Sequence, residues 1–173
     1  MLRSHPILGL AIGALVVVAD QITKWLSITS FETDPITVVP GLLWFVHTEN
    51  PGAAFSFFQD GGSVLAVVAM VAAVVVTVAL FSPRPRWEAI AFGLVLGGAV
   101  GNLIDRLTRG EGLLDGAVVD WIQVPDFPVF NLADSAITVA VVFLLVMTFR
   151  TGRSEQHRRR EAADESLVDG PQP

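Results

Sequence analysis

Four long apolar runs, at residues 6–28, 62–81, 87–107 and 132–149, leave this chain few folds to choose from. A helix crossing the hydrocarbon core of a bilayer needs about 20 mainly apolar residues at a rise of about 1.5 Å each. All four runs approach or reach that length. The second carries no charge and the fourth only Asp134; the first has Asp20 and Lys24 near its end, and the third closes in Asn102, Asp105 and Arg106. Of the 173 residues, 16% are charged, against roughly 25% in soluble domains, and the mean hydropathy is +0.59. The expected fold is an all-α polytopic membrane protein: one domain over residues 1–150 with four transmembrane helices. The first run is too long for a signal peptide and lacks an A-x-A-like cleavage site, so it reads as a span.

Basic residues orient the spans. Arg3 precedes the first, Arg84 and Arg86 lie between the second and third, and Arg150, Arg153 and Arg158 to Arg160 follow the fourth. Residues 30–61 hold Glu32, Asp34, Glu49 and Asp60 and no Lys or Arg. The positive-inside rule then predicts cytoplasmic termini, with the connections 30–61 and 108–131 facing outward.

The first outer connection reads "ITVVPGLLWFVHTENPGAAFSFF", β-branched and aromatic runs broken by Pro-Gly and Asn-Pro-Gly turn signals. It predicts short strands within residues 36–58, a small extracytoplasmic β-cradle, with "AVVDWIQV" as a further strand able to pair with them. Residues 151–173 are charged and polar and end in Gly-Pro-Gln-Pro, which predicts a disordered cytoplasmic tail whose basic part suits anionic lipid. Gly93, Gly97 and Gly101 share one face of the third span, a spacing that permits close helix contact. Packing within the chain is favoured over a homodimer seam, and the sequence names no oligomeric partner.

Several chemistries are excluded early. No Cys is present, which removes thiolate nucleophiles and Cys-based metal sites. His5, His47 and His157 lie far apart with no H-E-x-x-H pair. A net charge of −6 argues against a nucleic-acid partner.

Polar groups at membrane depth cost about 2.5–3.5 kcal/mol on insertion scales and call for a reason. Asp20 and Lys24, at i and i+4, are able to pair on one helix face; Asp105 and Arg109 share that spacing. Arg106 lies one turn beyond Asn102, either snorkelling or anchoring a substrate backbone or headgroup. Asn131 is placed to cap the fourth helix, with Asp134 three positions on as in a capping box. The helix dipole favours an ionised carboxylate there. Asp120 sits between Val119 and Trp121 with no basic residue within four positions, so its charged form is disfavoured. Brought near Asp134, it would share one proton, the physical arrangement of an aspartic-protease dyad. Asp115 and Asp126 read as solvated loop acids.

These residues fall in blocks: "DQITKW" ending the first span, "ENPGAAFS" in the outer loop, "GGAVGNLIDR" ending the third, "VVDW" in the second outer loop and "VFNLADS" opening the fourth. In that order the blocks resemble the lipoprotein signal peptidase (signal peptidase II) family over residues 10–148. The resemblance implies a bacterial, multi-pass aspartic endopeptidase of the cytoplasmic membrane with its active site at the outer leaflet. It would remove signal peptides from prolipoproteins, cleaving before a diacylglyceryl-modified cysteine. It further implies Asp120 and Asp134 as catalytic residues. Asn50, Asn102, Arg106 and Asn131 would hold substrate or line the site, and Asp20 and Lys24 would give structural support. The expected partners are the lipid-modified prolipoprotein and membrane lipid; no metal or other cofactor is required. Two departures stand out: Trp121 where the family commonly has Phe, and a longer connection through residues 107–119. The main rival is a proton-coupled carrier using Asp20, Asp105 and Asp134; a glycine-faced assembly factor is a third reading. A relay should spread its acids through the midplane, whereas here they gather at the span ends.

Overall fold

The computed structural model describes residues 3–31, 34–52 and 62–168. In chain order the elements are α1 (Pro6–Ser30), β1 (Ile36–Val39), β2 (Leu43–Asn50), α2 (Gly62–Leu80), α3 (Arg86–Thr108), β3 (Val118–Gln123) and α4 (Leu132–Val168). The four helices are each long and apolar enough to cross a membrane. Local chemistry explains their limits. Proline opens α1, where its missing N–H costs nothing. Pro85 takes the N-cap of α3 in an extended conformation that stops any continuation from α2. Arg84, in that turn, is buried over the Phe92 ring at 4.4 Å and pairs with Glu88 at 3.3 Å, so it braces the corner.

The strands form one antiparallel sheet in the order β1-β2-β3. β1 and β2 are joined through Pro40-Gly41, where Gly41 takes φ +76° and Leu42 N–H bonds to Val39 O at 3.0 Å. Proline followed by a left-handed glycine is what a type II turn requires. The second pairing is the one that matters for the site: Thr48 lies opposite Asp120 and Asn50 opposite Val118, which joins the α1–α2 and α3–α4 connections into one sheet. Residues 53–61, including the end of the expected strand region, lie outside the described residues.

α3 is the central helix, with 44% of its most apolar window buried against 11% in the windows of α2 and α4. Its glycine face packs within the chain. A Cβ on Gly97 would stand 2.5 Å from Val16 Cβ and 2.7 Å from Gly13 O, and one on Gly93 would stand 2.5 Å from Gly9 O. Contacts that close admit no side chain, so the glycines of α3 and α1 together form the seam.

The backbone continues as α4 to Val168, through a segment whose composition predicts a disordered tail. The stretch "RSEQHRRREAADES" is rich in Arg, Glu, Gln and Ala, all good helix formers. Because the span has already supplied the costly nucleus, such residues propagate the helix at little expense.

Candidate active site

The site lies where the sheet meets the sheet-side ends of α1 and α3 and the start of α4. β3 carries Asp120 inward, leaving the residue 2% exposed between Val119 and Trp121. Trp121 turns to the opposite face and stacks edge-on against Phe45 at 5.0 Å. Asp134 comes from the first turn of α4, and the expected capping box is present. Asp134 N–H bonds to Asn131 Oδ1 at 2.9 Å, and Asn131 N–H reaches Asp134 Oδ2 at 3.3 Å.

Amide side chains join the two acids. Asn131 Nδ2 donates to Asp120 Oδ1 at 2.7 Å and lies 3.1 Å from Asn102 Oδ1, while Asn102 Nδ2 donates to Asp134 Oδ1 at 2.8 Å. Asn50 Nδ2 donates to the other Asp120 oxygen at 3.1 Å. Burial pushes the Asp120 carboxyl up to about 7, and the charge of Asp134 adds to the rise. The Asn50 and Asn131 hydrogen bonds and the charge of Lys24 offset part of it. Near neutral pH the Asp120 carboxyl is therefore poised between its protonated and ionised forms.

The other expected residues are also at the site, each with specific contacts. Asn50 Oδ1 accepts the Gly52 N–H at 3.1 Å, closing a local turn while its amide holds Asp120. Arg106 directs its guanidinium at the chain's own carbonyls: Gly52 O at 2.9 Å, and Pro51 O and Gly116 O at 3.4 Å. It thus ties the α1–α2 and α3–α4 connections together beside the acids. Asp20 and Lys24 pair at 2.8 Å as their spacing predicts, and Asp105 meets Arg109 at 3.0 Å.

Sequence reasoning missed how far these pairs extend. Lys24 also lies 2.8 Å from Asp105 Oδ2 and donates to Asn102 Oδ1 at 2.8 Å, across to α3. Gln21, quoted in "DQITKW" without a role, donates to Gly101 O at 3.1 Å and reaches Asp105 Oδ1 at 3.3 Å. No local pattern announces partners some eighty positions apart. In the longer connection, Asp115 is not merely solvated: its carboxylate accepts the Gly112 N–H, at 3.0 and 3.1 Å to its two oxygens, and so organises the loop.

A cavity of about 730 Å³ opens beside the carboxylates. Asn50, Asn102, Arg106, Asp120 and Asp134 border it, and Leu65, Val68, Ala69 and Ala72 of α2, Val95 and Ala99 of α3, and Ile137 of α4 form its apolar wall. Fold and site together define a multi-pass membrane protein in which a buried Asp120 and a half-buried Asp134 face a largely apolar cavity between helices.

The model of the signal peptidase (SPase) II family matches residues 12–150. A lipoprotein signal peptidase of Shouchella clausii is 40% identical over 154 residues, 86% of this chain and 98% of that one. One from Microcystis aeruginosa is 38% identical over 144 residues, 80% of this chain and 89% of the relative. A bacterial membrane enzyme solved in meso at 2.3 Å resolution superposes with a TM-score of 0.76 at 26% identity, covering 87% of this chain and 93% of that one. A second, at 1.9 Å resolution, gives 0.73 at 28% identity, covering 86% and 97%. The chain belongs to the signal peptidase II family, a family of peptidases.

Proposed function

We propose that the protein is an aspartic peptidase that removes signal peptides from prolipoproteins, cleaving on the amino side of a diacylglyceryl-modified cysteine. One observation carries this reading: Asp120 and Asp134 come from separate elements and are joined through Asn131 and Asn102, beside a largely apolar cavity of about 730 Å³. Asp134, in the first turn of α4, would serve as the base. Asp120, buried beside apolar neighbours, holds the proton. Asp134 would take a proton from water as its oxygen bonds the scissile carbonyl carbon, and Asp120 would protonate the carbonyl oxygen. Collapse of the tetrahedral intermediate breaks the C–N bond, and a carboxyl proton passes to the leaving amine. No metal or cofactor enters these steps.

Arg106 and Asn50 would orient the peptide backbone, Asn102 and Asn131 would keep the acids in place, and Asp20 and Lys24 would support the site from below. Acyl chains would lie among α2, α3 and α4, against Ala69 and Ala72. The excess of Arg near the termini and the α2–α3 turn supports cytoplasmic termini. In that orientation the site would lie at the outer leaflet of a bacterial cytoplasmic membrane. The test is cleavage of a diacylglyceryl-modified prolipoprotein by purified protein, with the unlipidated precursor in parallel. Lipid-dependent cleavage by the wild type, lost in folded Asp120→Asn and Asp134→Asn, is expected. Cleavage surviving in either variant would overturn that residue's role, and no cleavage by folded wild type would overturn the activity.

A further inference from the structure

Both carboxylates trace back to one buried cation. Lys24 Nζ lies 2.8 Å from Asp20 Oδ2, from Asp105 Oδ2 and from Asn102 Oδ1, which occupies all three ammonium hydrogens. Asp20, Lys24 and Asp105 are each fully buried. Every one of these acceptors then reaches towards the pair. Asp20 Oδ1 accepts the backbone N–H of Ala133 at 2.9 Å, one residue before Asp134. Asp105 Oδ2 accepts the backbone N–H of Val119 at 3.1 Å, one residue before Asp120. Asn102, its carbonyl oxygen held by the ammonium, must turn its NH₂ towards Asp134 Oδ1, 2.8 Å away. Flipping that amide would set NH₂ against Nζ and oxygen against carboxylate, so the cation fixes its orientation.

Staple and aligner make different demands. To hold α1 against α3, the glycine seam and one ion pair suffice. Two tethers that end on the backbone immediately before each acid, plus a third on a side chain touching one of them, instead fix the spacing of the acids. Buried ionic groups of this kind are often no more stabilising than well-packed apolar ones, and their best-attested use is to specify register.

We propose that Lys24, acting through Asp20, Asp105 and Asn102, is a positioning residue that sets the spacing and orientation of Asp120 relative to Asp134. This rests on the dyad reading above. A displacement of about 1 Å at a reacting group costs on the order of 100-fold in rate, so the expected signature is in turnover rather than in substrate capture. The charged groups around the pair are Lys24, Arg106, Asp20 and Asp105, with Arg109 on Asp105.

The experiment uses the full chain in detergent and diacylglyceryl-modified prolipoprotein. Lys24→Met and the neutral triple D20N/K24M/D105N, whose Asn residues keep acceptors for Ala133 and Val119, are compared with wild type and Asp120→Asn. Folding is read by thermal melts and size exclusion. Wild-type cleavage and its loss in Asp120→Asn establish the dyad independently of Lys24; if wild type does not cleave, the dyad reading fails first. Given that control, we expect kcat to fall about 100-fold with KM within about threefold. In Lys24→Met the alkaline limb of the pH–rate profile should move to higher pH, because a nearby positive charge that favours ionised Asp120 is gone. Wild-type kcat in either folded variant, or a loss confined to KM, overturns the proposal. So does a failure of both to fold, which would make the network a stability element.

Discussion

The two flanks of α3 are built to opposite rules. Towards α1 it presents Gly93, Gly97 and Gly101, packed so closely that no Cβ fits, with Asp105 against Lys24 and Asp20 at the end of the seam. Towards α2 it presents Val95 and Ala99 to an open, mostly apolar cavity, while Gly98 between them packs against Ala133 and Ile137 of α4. The carboxylates stand at the boundary, held from the packed flank and facing the open one. That contrast matches the proposed chemistry: attack on a carbonyl needs fixed acids, whereas acyl chains need a compliant, water-poor groove. Polar groups without water are held by one another, so the ionic network belongs on the flank with no room to move.

The comparison is broken most severely at the boundary itself. Asp120→Asn and Asp134→Asn should each lower cleavage by about 10³-fold or more, with melting temperatures near wild type. A folded variant with most of its activity would leave the boundary without catalytic meaning. On the open flank, Ala72→Phe should fill the groove and raise KM for the lipidated substrate about tenfold, or ~1.4 kcal/mol, with kcat nearly kept. An unchanged KM would show that acyl chains bind elsewhere.

On the packed flank, Gly97→Ala should destabilise the fold by about 1–3 kcal/mol through overpacking against Val16 and Gly13. Gly152→Ala, with nothing within 4 Å of the added Cβ, should be neutral or stabilising by at most about 1 kcal/mol. Thermal melts in one detergent separate the two, and equal effects would erase the distinction between seam and surface.

The smallest effect is on pH. Burial raises Asp120 to about 7, so the pair holds its proton below that pH and loses it above, and activity should fall on that limb. The Asn50 hydrogen bond favours the ionised carboxylate, so Asn50→Ala should move the limb upward. A downward shift would mean that added water, not the lost donor, dominates.

Much of this was legible in the chain. The expected spans 62–81 and 87–107 differ by a residue at most from α2 and α3 at each end, because about 20 apolar residues between charges and prolines have little other use. "AVVDWIQV" was read as a strand and supplies β3, and the Asn131–Asp134 cap and the Asp20–Lys24 and Asp105–Arg109 pairs follow from spacing alone. In the tail, charged residues suit a solvated helix as well as a disordered chain, so local composition does not choose between them. Arg106 borders the cavity, and its three carbonyl partners in the α1–α2 and α3–α4 connections come from tertiary contact that no local pattern announces.

By itself, then, the sequence determined the spans, the turn at Gly41, the capping box and the i,i+4 ion pairs. All of these depend on apolar transfer, backbone sterics and neighbours one helical turn away, terms that act over a few residues. Only the tertiary structure decided that Lys24 reaches Asp105 and Asn102, that Asp20 holds the start of α4, and that Asp120 faces Asp134. Those contacts are electrostatic and short-ranged in space but distant along the chain. Their strength depends on separation in a poorly polarisable interior, and only the packing of α1, α3, β3 and α4 sets that separation.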